Sequence, residues 1–181
     1  YRLDTSDRAS QIHILEDDTL LLITRNGRVL KSNVSHSEFE QKLQMASPDI
    51  KMSARFGVDI YSNLAFIAEY GDKNGTNPPR RVYMSDDFGE TWRVIFEPEV
   101  RPNYHTHDVA YDPYEGIVWV VNGDGVENAN VHYSTDFGES WTKVYVDGEC
   151  PNQFTSILPM PNCVLFLTDN RHDGVYRWDR V

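Results

Sequence analysis

Apolar residues along the chain occur in short runs that are rich in β-branched and aromatic side chains. Gly, Asn, Asp and Pro separate these runs. This pattern is typical of β-strands that are joined by turns. It predicts thirteen strands, which cover residues 11–15, 19–24, 28–33, 65–70, 81–85, 92–96, 109–111, 117–121, 131–134, 142–146, 155–159, 164–168 and 174–178.

One segment, residues 37–46, has a different spacing of apolar residues. Phe39, Leu43 and Met45 recur there at roughly helical intervals. We therefore expect at most one or two helical turns in this segment and an all-β fold for the rest of the chain.

The sequence repeats itself. Residues 82–92 and 131–141 superimpose without a gap, and their tryptophans, Trp92 and Trp141, are 49 residues apart. Upstream of these segments, residues 58–72 match residues 109–124, which are one residue longer. Residues 12–24 and 157–170 are weaker copies of this second pair. The repeat predicts about four units, with approximate bounds 1–50, 51–98, 99–148 and 149–181.

Repeats of about 40 to 50 residues, each with four short antiparallel strands, are typical of the blades of a β-propeller. A β-sandwich does not need such a period, and the repeats of a β-solenoid are usually shorter. The sequence begins at Tyr1 without a methionine and ends directly after a strand-like stretch. We expect a single domain that is part of a larger propeller.

Both gapless copies contain the pattern Ser-x-Asp-x-Gly-x-(Ser/Thr)-Trp, which suits the tip of a hairpin. Its residues are Ser85, Asp87, Gly89, Thr91 and Trp92 in one copy and Ser134, Asp136, Gly138, Ser140 and Trp141 in the other. The pattern resembles the Asp-box, or BNR repeat, of sialidase-like propellers. That resemblance implies a structural role for these residues, because Asp-boxes lie at the periphery of the propeller, away from the ligand face.

Proteins with Asp-boxes include sialidases, xyloglucan-cleaving glycoside hydrolases and sortilin-type receptors, so the resemblance does not select one activity. The arginine triad and the Tyr/Glu nucleophile pair of sialidases have no assignable counterpart in this sequence. Four units are also fewer than the six or so blades that such enzymes have. An intact sialidase site is therefore not expected.

The end of the blades opposite the Asp-boxes is where ligand sites usually lie in propellers. Candidate residues there include His105 and His107, whose alternate positions put both imidazoles on one side of an extended strand. Asp108 and Asp124 complete the set of weak catalytic candidates, as base, acid or metal ligand. A structural or ligand-contacting histidine pair is the favoured interpretation, and we expect neither a metal nor a cofactor.

Polar side chains at this end of several units suit hydrogen bonding to sugar hydroxyls or to a protein, and tyrosine rings can stack on a sugar face. The predicted ligand-binding residues are Arg55, Arg101, Tyr104, His105, His107, Asp124 and Arg171.

Composition narrows the classes of function. The chain has 28 acidic and 17 basic residues and a net charge of −11, which argues against nucleic-acid binding. A mean hydropathy of −0.54, without an apolar run of about 18 residues, argues against insertion into a membrane. Two cysteines, Cys150 and Cys163, leave a disulfide and two free thiols equally open.

These observations predict a non-catalytic module that recognises carbohydrate or protein and is secreted, extracellular or virion-associated. One alternative is a glycoside hydrolase or polysaccharide lyase with its site at the same end, where Asp108 and Asp124 would converge. A third interpretation is a structural subunit whose blades complete a propeller with another chain.

Overall fold

The computed structural model describes residues 7–46, 57–70, 80–99, 105–125, 128–145, 150–169 and 174–180. Within these ranges the chain forms β-strands and no helix. The strands are β1 (Ala9–Ile14), β2 (Leu20–Thr24), β3 (Arg28–Ser32), β4 (Phe39–Gln44), β5 (Val58–Tyr61), β6 (Leu64–Ala68), β7 (Val82–Ser85), β8 (Arg93–Phe96), β9 (Thr106–Asp112), β10 (Ile117–Asn122), β11 (Asn130–Ser134), β12 (Thr142–Lys143), β13 (Phe154–Met160), β14 (Cys163–Thr168) and β15 (Val175–Asp179).

The strands pair in sequence order into four antiparallel sheets. Sheet 1 contains β1 to β4, sheet 2 contains β5 to β8, and sheet 3 contains β9 to β12. Sheet 4 has three strands, β13 to β15. Such up-and-down sheets are the blades of a β-propeller, so the predicted all-β propeller fold is confirmed. Among the described residues there is no helix that is long and apolar enough to cross a membrane.

The expectation of helical turns in residues 37–46 is wrong, because β4 occupies this segment. β4 pairs with β3, and a β-bulge interrupts their register between Val29 and Leu30. The bulge adds Lys42 between the residues that pair with Leu30 and Val29, which shifts the two-residue alternation of β4. The apolar residues Phe39, Leu43 and Met45 are separated by even numbers of residues, and a spacing of four fits a strand as well as a helix, so the sequence pattern does not distinguish the two.

Among the described residues, the core consists of three apolar clusters, one between each pair of consecutive sheets. The central strands β6 and β10 are buried on both faces, so their alternate residues supply different clusters. Representative members are Leu21, Ile23, Ala65 and Ile67 between sheets 1 and 2; Phe66, Val82, Val118 and Val120 between sheets 2 and 3; and Trp119, Val121, Val164 and Phe166 between sheets 3 and 4. Stacking against a neighbour is therefore what buries each sheet.

Two turns, at residues 85–92 and 134–141, have the same hydrogen-bond network and are called the repeat turns below. Ser85 Oγ donates to Asp87 Oδ1 over 2.8 Å and accepts from the backbone N–H of Gly89 over 2.8 Å. The two oxygens of Asp87 accept from the backbone N–H and the hydroxyl of Thr91 over 2.9 and 2.6 Å. The second turn has the same bonds. Ser134 Oγ donates to Asp136 Oδ1 over 2.7 Å and accepts from the backbone N–H of Gly138 over 2.8 Å. The oxygens of Asp136 accept from the backbone N–H and the hydroxyl of Ser140 over 2.9 and 2.6 Å.

Each repeat turn packs against the preceding sheet. A Cβ atom added to Gly89 would lie 2.8 Å from Leu21 Cδ2 of sheet 1, and one added to Gly138 would lie 2.5 Å from Ile95 Cβ of sheet 2. The indole Nε1 of Trp141 also donates to the backbone oxygen of Ile95 over 2.7 Å. Gly138 is therefore needed for close approach to the Ile95 backbone as well as for its positive φ, whereas the atoms nearest to Gly89 belong to the Leu21 side chain.

We predict that Gly138→Ala destabilises the fold more than Gly116→Ala. Both glycines have positive φ, +91° and +70°, but an added Cβ at Gly116 meets nothing within 4 Å. Gly116→Ala should cost about 1 to 2 kcal/mol of unfolding free energy for the left-handed backbone. Gly138→Ala should cost roughly 1 to 3 kcal/mol more, because Ile95 must move. Urea denaturation measures both, and equal losses would contradict the packing role of Gly138.

Candidate functional site

The candidate site lies at the end of the sheets opposite the repeat turns, and three sheets contribute to it. Tyr70 follows β6 of sheet 2, and His105 and His107 lie at the start of β9 of sheet 3. Asp124 follows β10, while Gln153 precedes β13 and Asp169 follows β14 of sheet 4. The meander topology brings all these strand ends to one edge of the stacked sheets.

His105 is buried and joins sheet 3 to sheet 2. Its Nδ1 lies 3.1 Å from the backbone oxygen of Tyr70, and its ring stacks on the Tyr70 ring with centroids 4.6 Å apart. Its Nε2 lies 3.2 Å from Oδ2 of Asp124, at ion-pair distance but outside hydrogen-bond geometry. The imidazole is thus fixed by a carbonyl on one side and faces a carboxylate on the other.

His107 joins sheet 3 to sheet 4 in the same way. Its Nδ1 lies 2.8 Å from the backbone oxygen of Phe154, and its Nε2 lies 2.9 Å from Oδ1 of Asp124. Between the two histidines, the Thr106 hydroxyl donates to the backbone oxygen of Arg80 over 2.7 Å. The prediction that both imidazoles share one side of the strand agrees with their common contact to Asp124.

The carboxylate of Asp124 lies between the two imidazoles and is half-buried, with 32% of its side chain exposed. Burial alone would raise its pKa. The contacts of His105 and His107 outweigh this effect and hold the pKa of Asp124 well below its usual range. Asp124 is therefore ionised across the neutral pH range.

Both ring nitrogens of each histidine face an oxygen. A backbone carbonyl only accepts hydrogen bonds, so Nδ1 of His105 and of His107 carries the proton in these contacts. Nε2 of His107 lies 2.9 Å from Asp124 Oδ1, so this second ring nitrogen also faces an oxygen of the protein. Neither histidine has a free ring nitrogen that faces a ligand as a general base.

Tyr70 and Gln153 extend the site toward sheet 4. Burial raises the pKa of the Tyr70 phenol, and the negative charges of Asp124 and Asp169 raise it further. Gln153 accepts from the backbone N–H of Gly125 over 3.0 Å and donates to Asp169 Oδ1 over 2.9 Å. A tyrosine and two carboxylates thus share one polar surface.

Asp108 is not part of this surface, because its two oxygens bind backbone amides. Oδ1 accepts from Gly57 over 3.0 Å and Oδ2 from Ile157 over 2.9 Å. Burial raises the pKa of Asp108 to about 6. These contacts tie the inner strands of sheets 2, 3 and 4 together and are those of a structural residue.

The remaining predicted ligand residues, Arg55, Arg101, Tyr104 and Arg171, lie outside the described residues. Tyr70 was not among the residues predicted for this site. The repeat alignment contains a signal for it, because Tyr70 directly precedes a Gly-Asp pair just as Asn122 precedes Gly123-Asp124.

In the ranges that the structure describes, no group of three His, Cys, Asp or Glu side chains is arranged to hold a metal ion. The ring centroids of His105 and His107 are 6.3 Å apart. Cys150 and Cys163, whose pairing the sequence left open, are both buried free thiols.

Neither a protein-family model nor a curated protein sequence matches this chain. Solved structures do match its fold. A structure of YCF48 bound to D1 peptide has a TM-score of 0.63 and 17% identity, over 96% of this chain and 51% of that one. The β-propeller domain of Cps50 (Swd1) from Myceliophteria thermophila has a TM-score of 0.66 and 13% identity, over 97% and 52%.

An ancestral GH74 enzyme is a third match, with a TM-score of 0.60 and 14% identity over 94% of this chain and 22% of that one. This chain thus spans about half or less of these three structures. Identities this low show the β-propeller fold and nothing finer.

The buried carboxyl of Asp108 predicts a pH dependence of stability. Its folded pKa of about 6 exceeds the value of about 3.9 that is usual for an unfolded chain, so the folded state retains its proton more strongly. The stability that this group contributes is full below about pH 4 and is lost as the pH rises through about 6.

We therefore expect the wild type to lose stability relative to Asp108→Asn as the pH rises. Its unfolding free energy, minus that of the variant, should fall by about 2 to 3 kcal/mol from pH 4 to pH 7. Urea denaturation of both proteins across this range measures it. A difference that does not change with pH would contradict the buried position of this carboxyl.

Proposed function

We propose that this protein is a recognition module that binds its ligand at the end of the propeller opposite the repeat turns. The observation that supports this proposal most is a chain of contacts across three consecutive sheets. Tyr70 stacks on His105, His107 contacts Asp124, and Gln153 binds both the backbone N–H of Gly125 and the carboxylate of Asp169. Ligand sites of propellers and other repeat folds commonly lie where loops of several repeats meet.

The contacts of the site favour recognition over catalysis. Both ring nitrogens of His105 and of His107 face fixed oxygens. Asp108, which would have paired with Asp124 in a hydrolase, binds two backbone amides instead. A general acid and base need a side chain that can exchange a proton with the substrate, and these three residues are committed to the protein itself.

A protein ligand has more support than a carbohydrate ligand. One structure with the same fold, YCF48, was determined bound to a D1 peptide. The repeat turns resemble Asp-boxes in sequence, and sortilin-type receptors are among the proteins that contain them. The secreted, extracellular or virion-associated location that the resemblance implies is part of this proposal.

A second candidate function, a structural subunit within a larger propeller, is favoured by the outward face of sheet 4. Leu158, Leu167 and Val175 lie on this face, opposite the face that packs on sheet 3, and are 50%, 40% and 62% exposed. The three internal interfaces are apolar contacts between sheets of the same kind. Another propeller sheet is the partner that would continue this series on sheet 4.

Binding to arrays of peptides and glycans tests the recognition function. We expect Tyr70→Ala to weaken binding of any captured ligand at least tenfold, because the Tyr70 ring stacks on His105 and His107, which contact Asp124. Tyr114→Ala is the matched control, since Tyr114 is 54% exposed in the turn between β9 and β10 at the opposite end. A ligand that both variants bind as well as the wild type would contradict this location.

A further inference from the structure

The third strand of sheet 4 is much more exposed than the third strands of the other sheets. β3, β7 and β11 are mostly buried, whereas every residue of β15 is partly or fully exposed. Val175 is 62% exposed and Trp178 is 42% exposed. Fourth strands pair with β3, β7 and β11, but within the described ranges no fourth strand pairs with β15. β15 is therefore an open edge of its sheet.

The outer edge of β15 carries backbone groups that can pair with another strand. The N–H of Thr168 donates to the backbone oxygen of Gly174, which makes these two residues a hydrogen-bonded pair at one end of the ladder. The register from there along β14 and β15 is regular. Because hydrogen-bonded pairs alternate along an antiparallel ladder, the N–H and C=O groups of Val175, Arg177 and Asp179 point away from β14.

A groove between sheets 3 and 4 lies beside this edge. Val144 and Tyr145, which follow β12, line it on the side of sheet 3, and Tyr176 and Trp178 of β15 line it on the side of sheet 4. It is called the edge groove below. Apolar and aromatic side chains on both of its walls suit the burial of an apolar side chain.

The repeat shows what fills the same position between sheets 2 and 3. The 49-residue offset between the repeats makes Val144 and Tyr145 the counterparts of Ile95 and Phe96. Trp141, which directly precedes the fourth strand of sheet 3, packs on this second pair. Its Nε1 donates to the backbone oxygen of Ile95 over 2.7 Å, and its ring centroid lies 4.9 Å from that of Phe96. In the described part of sheet 4, no residue takes the place of Trp141.

We propose that sheet 4 binds an extended segment of another protein as its fourth strand, antiparallel to β15, with an apolar side chain of that segment in the edge groove. Such a strand exchanges backbone hydrogen bonds with the open edge, and the groove selects its side chain. The antiparallel direction is that of the fourth strands of sheets 1 to 3. The proposal goes beyond the recognition function and does not depend on it, because the edge groove is lined by other residues than the site around Asp124.

The chain itself supplies the probe. A synthetic peptide of residues 91–97, Thr-Trp-Arg-Val-Ile-Phe-Glu, contains the fourth strand of sheet 2 and Trp92, the counterpart of Trp141. Fluorescence anisotropy measures its binding to the whole chain. We expect saturable binding, and binding about tenfold weaker when serine replaces the tryptophan of the peptide, because the side chain in the groove is lost.

N-methylated peptides test the backbone pairing. Methyl groups on alternate amides, along the edge of the peptide that faces β7 in sheet 2, remove the donors to β15. This peptide should bind about tenfold more weakly, because two or three hydrogen bonds are lost. The control carries the same number of methyl groups on its opposite edge. Equal affinities of the two methylated peptides would overturn the proposal.

Two variants of one residue locate the edge. Arg177→Pro removes an N–H that points away from β14, so the ladder of sheet 4 is retained. Arg177→Ala is the matched control, since it loses the same guanidinium and keeps the N–H. We expect the proline variant to bind the peptide about tenfold more weakly and the alanine variant to bind it like the wild type. Equal binding by both variants would contradict the location at β15.

Urea denaturation shows whether Arg177→Pro retains the fold. If it does not, Val175→Pro takes its place with Val175→Ala as its control, because proline is tolerated at the first residue of a strand.

Light scattering of the chain alone distinguishes the other occupant of the edge, a second copy of this chain. We expect a monomer. A dimer that Arg177→Pro dissociates and Arg177→Ala does not would show that β15 pairs with its own copy, and would overturn the proposal. A monomer that does not bind the unmodified peptide would overturn it as well.

Discussion

The carboxylate of Asp108 is the contact on which the geometry of the candidate site depends. It accepts hydrogen bonds from Gly57, just before β5, and from Ile157 in β13, so one side chain in β9 links the inner strands of three sheets. A buried carboxylate is costly unless donors surround it. These backbone amides offset part of that cost and fix the spacing of the sheets near His105, which directly precedes β9, and His107, which lies within it.

Neighbouring residues at the start of β9 bind different sheets or groups because successive side chains of a strand point to opposite faces. His105 and His107 bind carbonyls of sheets 2 and 4 and contact Asp124, whereas Thr106 binds the carbonyl of Arg80. The histidines therefore act as spacers that hold Asp124 in place across two sheet boundaries. This cross-sheet fixation gives a loop carboxylate the defined position that a rigid scaffold provides for recognition.

Local sequence patterns predicted the parts of the fold that local physics determines. Runs of β-branched residues gave most strands, and the duplicated pattern around Trp92 and Trp141 gave the period of the sheets. β4 and β5 were not among the predicted strands; the four-residue spacing of Phe39 and Leu43 in β4 fits a helix as well as a strand. The pairing of His107 with Asp124 follows from strand geometry, but the position of Tyr70 and the bonds of Asp108 depend on stacking between sheets. No pattern along a single strand contains that information.

Charge connects the composition of the chain with the chemistry of the site. A net charge of −11 disfavours polyanions, and the same field attracts cationic groups over distances near the Debye length. Long-range attraction raises the rate of encounter and does not select a binding surface. Selection requires side chains that are held at defined positions, and at this site His105 and His107 hold the carboxylate of Asp124 in place across two sheet boundaries.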